Sequence, residues 1–213
     1  FPYTTLFRSY VGSYLAAGKN SEIYNAATGT WSSAGSTKVQ LWDSCGGASA
    51  ASYELGPAVL RPDGTVFATG ANGCAAGNTA IYNTTTGTWT AGPAFSGTLD
   101  IADGPAALLL DGNVLVDSSP GVFNNPTKFF EWDGTTLNAT TAPSGSSLDP
   151  SYAGNMLVLP TGQVLFTDFS ATVSVYTPSG AACAGCAPVI TTVAATLTHG
   201  TVNNGVHGKQ LNG

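Results

Sequence analysis

One β-hairpin pattern occurs three times in this chain at a nearly constant interval. The copies share one plan and read GPAVLRPDGTVFATG at 56–70, GPAALLLDGNVLVDSS at 104–119 and GNMLVLPTGQVLFTD at 154–168. In each copy two apolar runs flank a polar turn, and the turn glycines Gly64, Gly112 and Gly162 are 48 and 50 residues apart. A repeat made of hairpins predicts one small antiparallel sheet per repeat.

A second hairpin follows the first within a repeat. It reads EIYNAATGTW at 22–31 and AIYNTTTGTW at 80–89, with shorter copies at 130–137 and 175–180. Two hairpins supply four strands, and four-stranded sheets repeated every fifty residues or so are typical of β-propellers. We therefore predict an all-β chain that forms a partial β-propeller of about three to four four-stranded blades. In this interpretation Trp31 and Trp89 pack between blades.

The repeats also predict the domain organisation. The propeller is expected over 10–180, with blades at 10–35, 36–95, 96–143 and 144–180, followed by a small-residue linker at 181–188. The β-branched segment 189–213 is similar to the first strands of an immunoglobulin-like domain. Residues 1–9, FPYTTLFRS, resemble a translated sequencing adapter and are interpreted as an artefact, the alternative being a genuine N-terminal strand.

Composition limits the partners of this chain. Only 8% of the residues are charged and the net charge is −6, so the chain lacks the basic surface that nucleic acids or anionic membranes attract. No apolar run approaches the roughly 20 residues that cross a bilayer. We therefore expect neither a nucleic-acid partner nor a membrane partner.

Four cysteines bear on the compartment. Cys45 and Cys74 lie in loops that a four-stranded meander places at the same end, so a disulfide between them is predicted. Cys183 and Cys186 form a C-x-x-C pair in the linker, where a local disulfide is favoured over a zinc or redox site. Disulfides indicate a secreted or extracytoplasmic protein. The alternative is four free thiols.

The repeats resemble the kelch-type propellers of the galactose oxidase and glyoxal oxidase group. The resemblance rests on the segments at 56–70, 80–93 and 104–116, although Thr69-Gly70 stands where that group has a diglycine. It implies a propeller followed by an immunoglobulin-like domain, which is the order predicted here.

Catalytic members of that group are copper radical oxidases that oxidise primary alcohols or aldehydes with oxygen. The resemblance implies a Tyr-Cys radical, a Tyr-His pair before an inner strand and a histidine from the C-terminal domain. Tyr152 matches the phenol position, but Ala153 stands at the imidazole position, and His199 and His207 both lie in the C-terminal segment. We therefore assign no catalytic residue, metal ligand or cofactor to this chain and leave copper to a full-length parent protein.

Three loops that precede apolar runs carry acids or phenols. The residues are Tyr53, Glu54, Asp100, Asp103, Asp149 and Tyr152. The meander places these loops at one end, near the propeller axis, where a rigid scaffold commonly displays its binding residues. They are predicted to bind sugar hydroxyls or a cation such as Ca²⁺. The alternative is that the acids cap turns.

Asp43 and Asp168 are a further candidate acid pair for glycoside hydrolysis, although no pattern places them opposite each other.

Two functions follow from these observations. The first is a fragment of a secreted kelch/galactose-oxidase-like propeller that serves as a non-catalytic scaffold for a carbohydrate or protein ligand. The alternative is an incomplete piece of a copper radical oxidase whose remaining ligands lie outside this sequence.

Overall fold

The fold is all-β, as predicted, and consists of small antiparallel sheets that follow one another along the chain. The computed structural model describes residues 5–6, 19–179, 189–193 and 206–209. The first sheet contains β1 (Thr5–Leu6), β2 (Asn20–Asn25) and β3 (Thr30–Ser36). The second contains β4 (Ala58–Leu60), β5 (Thr65–Thr69), β6 (Thr79–Asn83) and β7 (Thr88–Ala91). The third contains β8 (Ala106–Leu108), β9 (Val114–Ser118), β10 (Lys128–Trp132) and β11 (Leu137–Thr140).

The two remaining sheets are smaller. The fourth sheet contains β12 (Asn155–Val158), β13 (Val164–Thr167) and β14 (Val173–Tyr176). The fifth is the pair β15 (Val189–Val193) and β16 (Val206–Lys209), which lies in the segment predicted to begin an immunoglobulin-like domain. Strand β1 lies within the segment interpreted as an adapter artefact, and that interpretation stays a prediction. Among the described residues, no helix is long and apolar enough to cross a membrane.

The first hairpin of each repeat closes through a glycine with left-handed backbone geometry. The φ angles of Gly64, Gly112 and Gly162 are 81°, 87° and 81°. Only glycine adopts this conformation without steric cost, so the glycine itself determines where each hairpin turns. Each strand then pairs with the next one along the chain, which makes every sheet a simple meander.

The first four sheets stack face to face in chain order. Each inner interface consists of apolar side chains from two consecutive sheets: Ala34 with Tyr82 and Trp89, Phe67 with Trp132, and Leu115 and Phe129 with Phe166. The first strands β4, β8 and β12 contact one another in that order, and β3 contacts β7. We call the side of a sheet that meets the next sheet its forward face, and the opposite side its backward face.

The forward face of the second sheet is centred on a row of three residues in register. In the second sheet this row is Val59, Phe67 and Ile81. Phe67 is fully buried and stacks on Trp132 of the third sheet, with ring centroids 3.9 Å apart and planes 8° from parallel. Such contacts remove a large apolar area from water, so they dominate the stability of the stack.

The turn end of the second and third sheets is joined by one arginine. Arg61 Nε donates to the carbonyl oxygen of Gly112 at 2.8 Å, and Nη1 pairs with Asp63 at 2.7 Å. The guanidinium carbon also lies 4.6 Å from the ring centroid of Trp132. The same side chain therefore contacts the turns of two consecutive sheets and the aromatic residue between them.

Two nearly identical hairpins differ in burial. The Tyr24–Trp31 and Tyr82–Trp89 pairs both have ring centroids 5.1 Å apart and planes at 47°. Trp89 is 4% exposed and donates from Nε1 to Ser21 Oγ at 2.8 Å, whereas Trp31 is 47% exposed. Trp89 thus packs between sheets, as predicted for both tryptophans, but Trp31 lies on the open backward face of the first sheet.

Replacing Trp89 with alanine is expected to lower the free energy of unfolding by about 3–5 kcal/mol, because it leaves a cavity between two sheets. The same change at Trp31 removes the same ring from a half-exposed position, so we expect a loss of about 1 kcal/mol. Urea denaturation at low protein concentration measures both losses. Equal losses for the two variants would contradict the packing described here.

Candidate functional site

The connecting loops at one end of the stack carry all six predicted binding residues. This loop face consists of 37–57, 70–78, 92–105, 119–127, 141–154 and 168–172. As predicted, a disulfide joins two of these loops through Cys45 and Cys74, whose Cα atoms are 4.6 Å apart. Cys183 and Cys186 lie outside the described residues. The covalent link holds the long loop before β4 against the loop between β5 and β6.

The structure places Asp103 beside the loop before β4, which carries Tyr53 and Glu54. The Asp103 backbone N–H donates to Leu55 O at 2.8 Å, and Asp103 itself is exposed with φ of 62°. Tyr53 also has a positive φ, 61°, and its ring stacks on Trp42 with centroids 5.6 Å apart. Positive φ is uncommon for residues with side chains, so both loops hold defined shapes.

Asp43 organises this part of the loop face. Its carboxylate accepts hydrogen bonds from Cys45 N at 2.9 Å and from both N and Oγ of Ser52 at 2.9 Å. The turn-capping alternative therefore describes Asp43 well. Its charge acts on Asp100, which is 1% exposed and has no hydrogen-bond partner at Oδ1. Burial, reinforced by Asp43, raises the pKa of Asp100 to about 7.

Asp149 and Tyr152 lie on the loop before β12. Tyr152 belongs to a short 3-10 helix, Ser151–Ala153, and its ring contacts Phe123 and Phe169 edge to face, with both centroid distances 5.7 Å. Phe123 and Phe169 are 64% and 70% exposed. We call Phe123, Tyr152 and Phe169 the aromatic cluster. It brings together three different loops and leaves two phenyl rings facing water.

Two serines connect the acidic region to the aromatic cluster. Ser119 exchanges two backbone hydrogen bonds with Asp100, at 2.9 and 3.1 Å. Ser119 Oγ lies 3.0 Å from Ser151 Oγ and accepts from Ser151 N at 3.1 Å. Both serines are fully buried. Asp100 and Tyr152, predicted separately, are therefore parts of one continuous and rigidly bonded surface.

A second buried acid lies between the third and fourth sheets. Asp117 is the penultimate residue of β9, next to the loop face; it is fully buried and has no hydrogen-bond partner at either carboxylate oxygen. A Cβ on Gly154 would lie 2.8 Å from Asp117 Oδ2, so only glycine leaves room for this carboxyl group. Burial, together with the charge of Asp168, raises the pKa of Asp117 to about 8.

The candidate pair of Asp43 and Asp168 is divided between these two regions. Asp43 acts on Asp100, and Asp168 acts on Asp117. The pKa of Asp168 is lowered by hydrogen bonds from Ser170, so it is the ionised member of its pair. The acids therefore form two separate pairs, each with one buried and one hydrogen-bonded carboxyl group.

Three residues at or next to the loop face were not predicted from the sequence. Phe123 and Phe169 are single aromatic residues in polar loops, and they carry no periodic signal. Asp117 occupies the repeat position held by Thr69 in the second sheet and Thr167 in the fourth. Thr69 donates from Oγ1 to Pro57 O at 3.1 Å. An acid at a position where other repeats have threonine was the one available signal.

The residues at the phenol and imidazole positions do not fit a copper radical site. Ala153 offers no ligand atom and is 1% exposed, while the Tyr152 ring is engaged by two phenylalanines. Within the described ranges, no group of three or more histidine, cysteine or acidic residues is arranged to hold a metal ion. Copper ligation of the kind implied by the resemblance therefore has no support in these side chains.

Two further concavities are lined by other residues. A groove of about 270 Å³ beside β14 is lined mainly by apolar residues, including Leu115, Phe129 and Phe166. A cleft of about 230 Å³ surrounds Arg61 at the turn end. Neither contains a predicted binding residue.

No protein-family model matches this chain, and no curated protein sequence matches it. Among solved structures, the chain is similar to the extracellular domain of a one-component system from B. thetaiotaomicron, with a TM-score of 0.42 and 13% sequence identity. The match covers 84% of this chain and 27% of that protein, so the chain spans about a quarter of its length. A likeness of this degree identifies neither a family nor a function.

The buried acids make stability depend on pH. An aspartate in the unfolded chain ionises near pH 4, whereas Asp117 in the folded chain stays protonated until about pH 8. The unfolded state therefore binds fewer protons between these values, and the free energy of unfolding falls as pH rises, by up to about 1.4 kcal/mol per pH unit for this group. We expect Asp117→Asn to remove this contribution, while Asp100 retains its own below about pH 7.

Urea denaturation across that pH range measures the effect. Asp133→Asn is the matched control, because Asp133 is exposed and its pKa is held well below the usual range by the N–H groups of Thr136 and Thr135. Its removal should leave the slope near neutral pH unchanged. An unaltered slope in Asp117→Asn would show that this carboxyl group is not buried as described.

Proposed function

We propose that this chain is part of an extracytoplasmic kelch-type propeller of the galactose oxidase-like group and serves as a non-catalytic scaffold that binds carbohydrate on its loop face. The stacked meanders are then consecutive blades, with β4, β8 and β12 as their innermost strands. Residues 189–213 begin an immunoglobulin-like domain in this proposal. The resemblance of the hairpin sequences and the order of the sheets support it.

The exposed aromatic cluster is the observation that carries the binding proposal. Aromatic side chains exposed on loops at one end of a rigid fold are costly to leave in water and commonly mark interaction sites. Phe123 and Phe169 offer flat apolar surfaces, and Tyr152 holds both rings in position. The C–H face of a pyranose ring packs on such surfaces, while its hydroxyls hydrogen-bond to nearby polar groups.

The acids around the cluster indicate which carbohydrate fits. Asp149 is on the same loop as Tyr152, and Asp168 directly precedes Phe169. Carboxylates accept hydrogen bonds from sugar hydroxyls but repel sulfate or uronate groups. With a net charge of −6 over the chain, the ligand is a neutral glycan rather than a polyanionic one. Protein ligands remain the competing class.

The disulfide between Cys45 and Cys74 supports the extracytoplasmic assignment, because such bonds persist in oxidising compartments. It also has a role in the proposed site. It fixes the loop that carries Tyr53 and Glu54, so this part of the loop face is ordered before a ligand binds. Preorganisation of this kind reduces the entropy lost on binding.

A panel of immobilised neutral and acidic glycans tests the proposal. We expect retention on neutral glycans and none on sulfated or uronate-rich ones. Phe169→Ala should weaken binding to the retained glycan about tenfold, which corresponds to about 1.4 kcal/mol for the loss of one stacking ring.

Leu60→Ala is the matched control for this experiment. Leu60 is 53% exposed and lies in β4 near the turn end, away from the loop face, so its removal should leave glycan binding unchanged. Absence of binding to every neutral glycan, or equal losses in both variants, would refute carbohydrate binding at the aromatic cluster.

A further inference from the structure

The turn between β6 and β7 begins with a motif that the proposed function does not use. Asn83-Thr84-Thr85 has the order Asn-x-Thr, with a residue other than proline at x, and this order is the acceptor sequence for N-linked glycans. Asn138-Ala139-Thr140 has the same order in the third sheet. A motif of three residues also arises by chance, so the surroundings of each asparagine have to distinguish the two.

The carboxamide of Asn83 is held by its oxygen and leaves its nitrogen without a partner. Asn83 is the last residue of β6 and is exposed, as is the whole turn 84–87. Its Oδ1 accepts from the backbone N–H groups of Thr85 at 2.9 Å and Thr86 at 3.0 Å, which is an Asx turn. Its Nδ2 donates to no atom among the described residues. The reacting nitrogen is therefore exposed on a fixed group.

Asn138 has the same motif but uses its nitrogen differently. This residue is also exposed, yet its Nδ2 donates to Asp133 Oδ2 at 3.0 Å and to Thr136 O at 3.4 Å. A glycan replaces one of the two hydrogens on this nitrogen, so the folded chain would lose one of these hydrogen bonds. Modification at Asn83 breaks no hydrogen bond within the described part of the chain.

The first sheet repeats the turn of Asn83 without the motif. Asn25 Oδ1 accepts from Ala27 N at 3.0 Å, and the turn glycines Gly29 and Gly87 have φ angles of 68° and 67°. Ala27 stands where Thr85 stands in the second sheet, so Asn25 has the same turn but lacks the hydroxyl residue that the motif requires. This pair of turns separates the effect of backbone shape from that of the motif.

We propose that Asn83 is a site of N-linked glycosylation and that Asn138 is not. The inference goes beyond ligand binding and takes from the proposed function only the extracytoplasmic assignment. The glycan donor is an oligosaccharide joined through a diphosphate to a lipid. Asn83 Nδ2 attacks C1 of the first sugar: the C1–N bond forms, the C1–O bond breaks, the lipid diphosphate leaves with the bonding electrons, and the amide loses one proton.

The position of Asn83 suits a bulky attached group. The turn 84–87 lies at the turn end, where Thr84 Oγ1 donates to Gly64 O at 2.6 Å and ties it to the β4–β5 hairpin. A glycan attached there covers polar backbone and threonine side chains, and it lies at the end of the sheet opposite the loop face. Glycans are typically carried on such surface segments and increase solubility. The aromatic cluster stays accessible to its own ligand.

Directing the chain into the secretory pathway of a eukaryotic cell tests the proposal. Peptide mass spectrometry after treatment with peptide-N-glycosidase measures occupancy, because the enzyme converts a glycosylated asparagine to aspartate. We expect occupancy at Asn83 and none at Asn138. Thr85→Ala should abolish the glycan at Asn83, and Ala27→Thr should add one at Asn25. Occupancy is measured on the total chain, intracellular and secreted, so a variant that folds poorly is still measured.

Thr86→Ala is the matched control. Thr86 lies in the same exposed turn and is the same residue type as Thr85, but it is outside the motif, so its glycan at Asn83 should remain. An unmodified Asn83, occupancy at Asn138 equal to that at Asn83, or loss of the glycan in both threonine variants would each overturn the proposal. The measurement involves no immobilised glycan, so its failure and the failure of carbohydrate binding are separate results.

Discussion

Packing between consecutive sheets is the interaction on which the rest of this structure depends. An isolated meander of three or four short strands leaves both of its faces in contact with water, so little apolar area is buried to stabilise it. The stack removes both faces of the second and third sheets from water, and Phe67 against Trp132 is the most closely stacked contact among the described aromatic pairs. The position of every loop follows from it, because the loops are held by strands whose spacing this packing determines.

The stack of sheets allows the loop face to hold groups that are individually unfavourable. The aromatic cluster and the two acid pairs come from loops of different sheets, and backbone hydrogen bonds together with one disulfide hold them in place. Buried carboxyl groups such as Asp100 and Asp117 are costly to ionise without partners. Packing between the sheets supplies the stability that offsets the cost of these buried carboxyl groups at the loop face. Unfavourable groups of this kind are commonly concentrated at functional sites.

Local sequence was sufficient to predict the elements that depend on local chemistry. The glycine turns at Gly64, Gly112 and Gly162 mark the hairpins, and the meander predicts that Cys45 meets Cys74. The burial of a side chain cannot be predicted from local sequence in the same way, because it depends on whether a neighbouring sheet packs over that side chain. Trp31 and Trp89 occur in almost identical segments, yet within the part of the chain that the structure describes only Trp89 has a sheet packed over it. Phe123 and Phe169 escaped prediction for a related reason, since their contacts with Tyr152 form only after the third and fourth sheets have stacked.

The contacts of Arg61 give the two ends of the stack different responses to their surroundings. Its guanidinium stays charged at every pH a protein survives, so the bonds to Gly112 and Asp63 at the turn end do not depend on proton concentration until Asp63 itself is neutralised in acid. The opposite end is bounded by carboxyl groups that ionise near neutrality. Mild alkali therefore destabilises only the end that carries the loop face. The contacts of Arg61 still join the second and third sheets at the turn end.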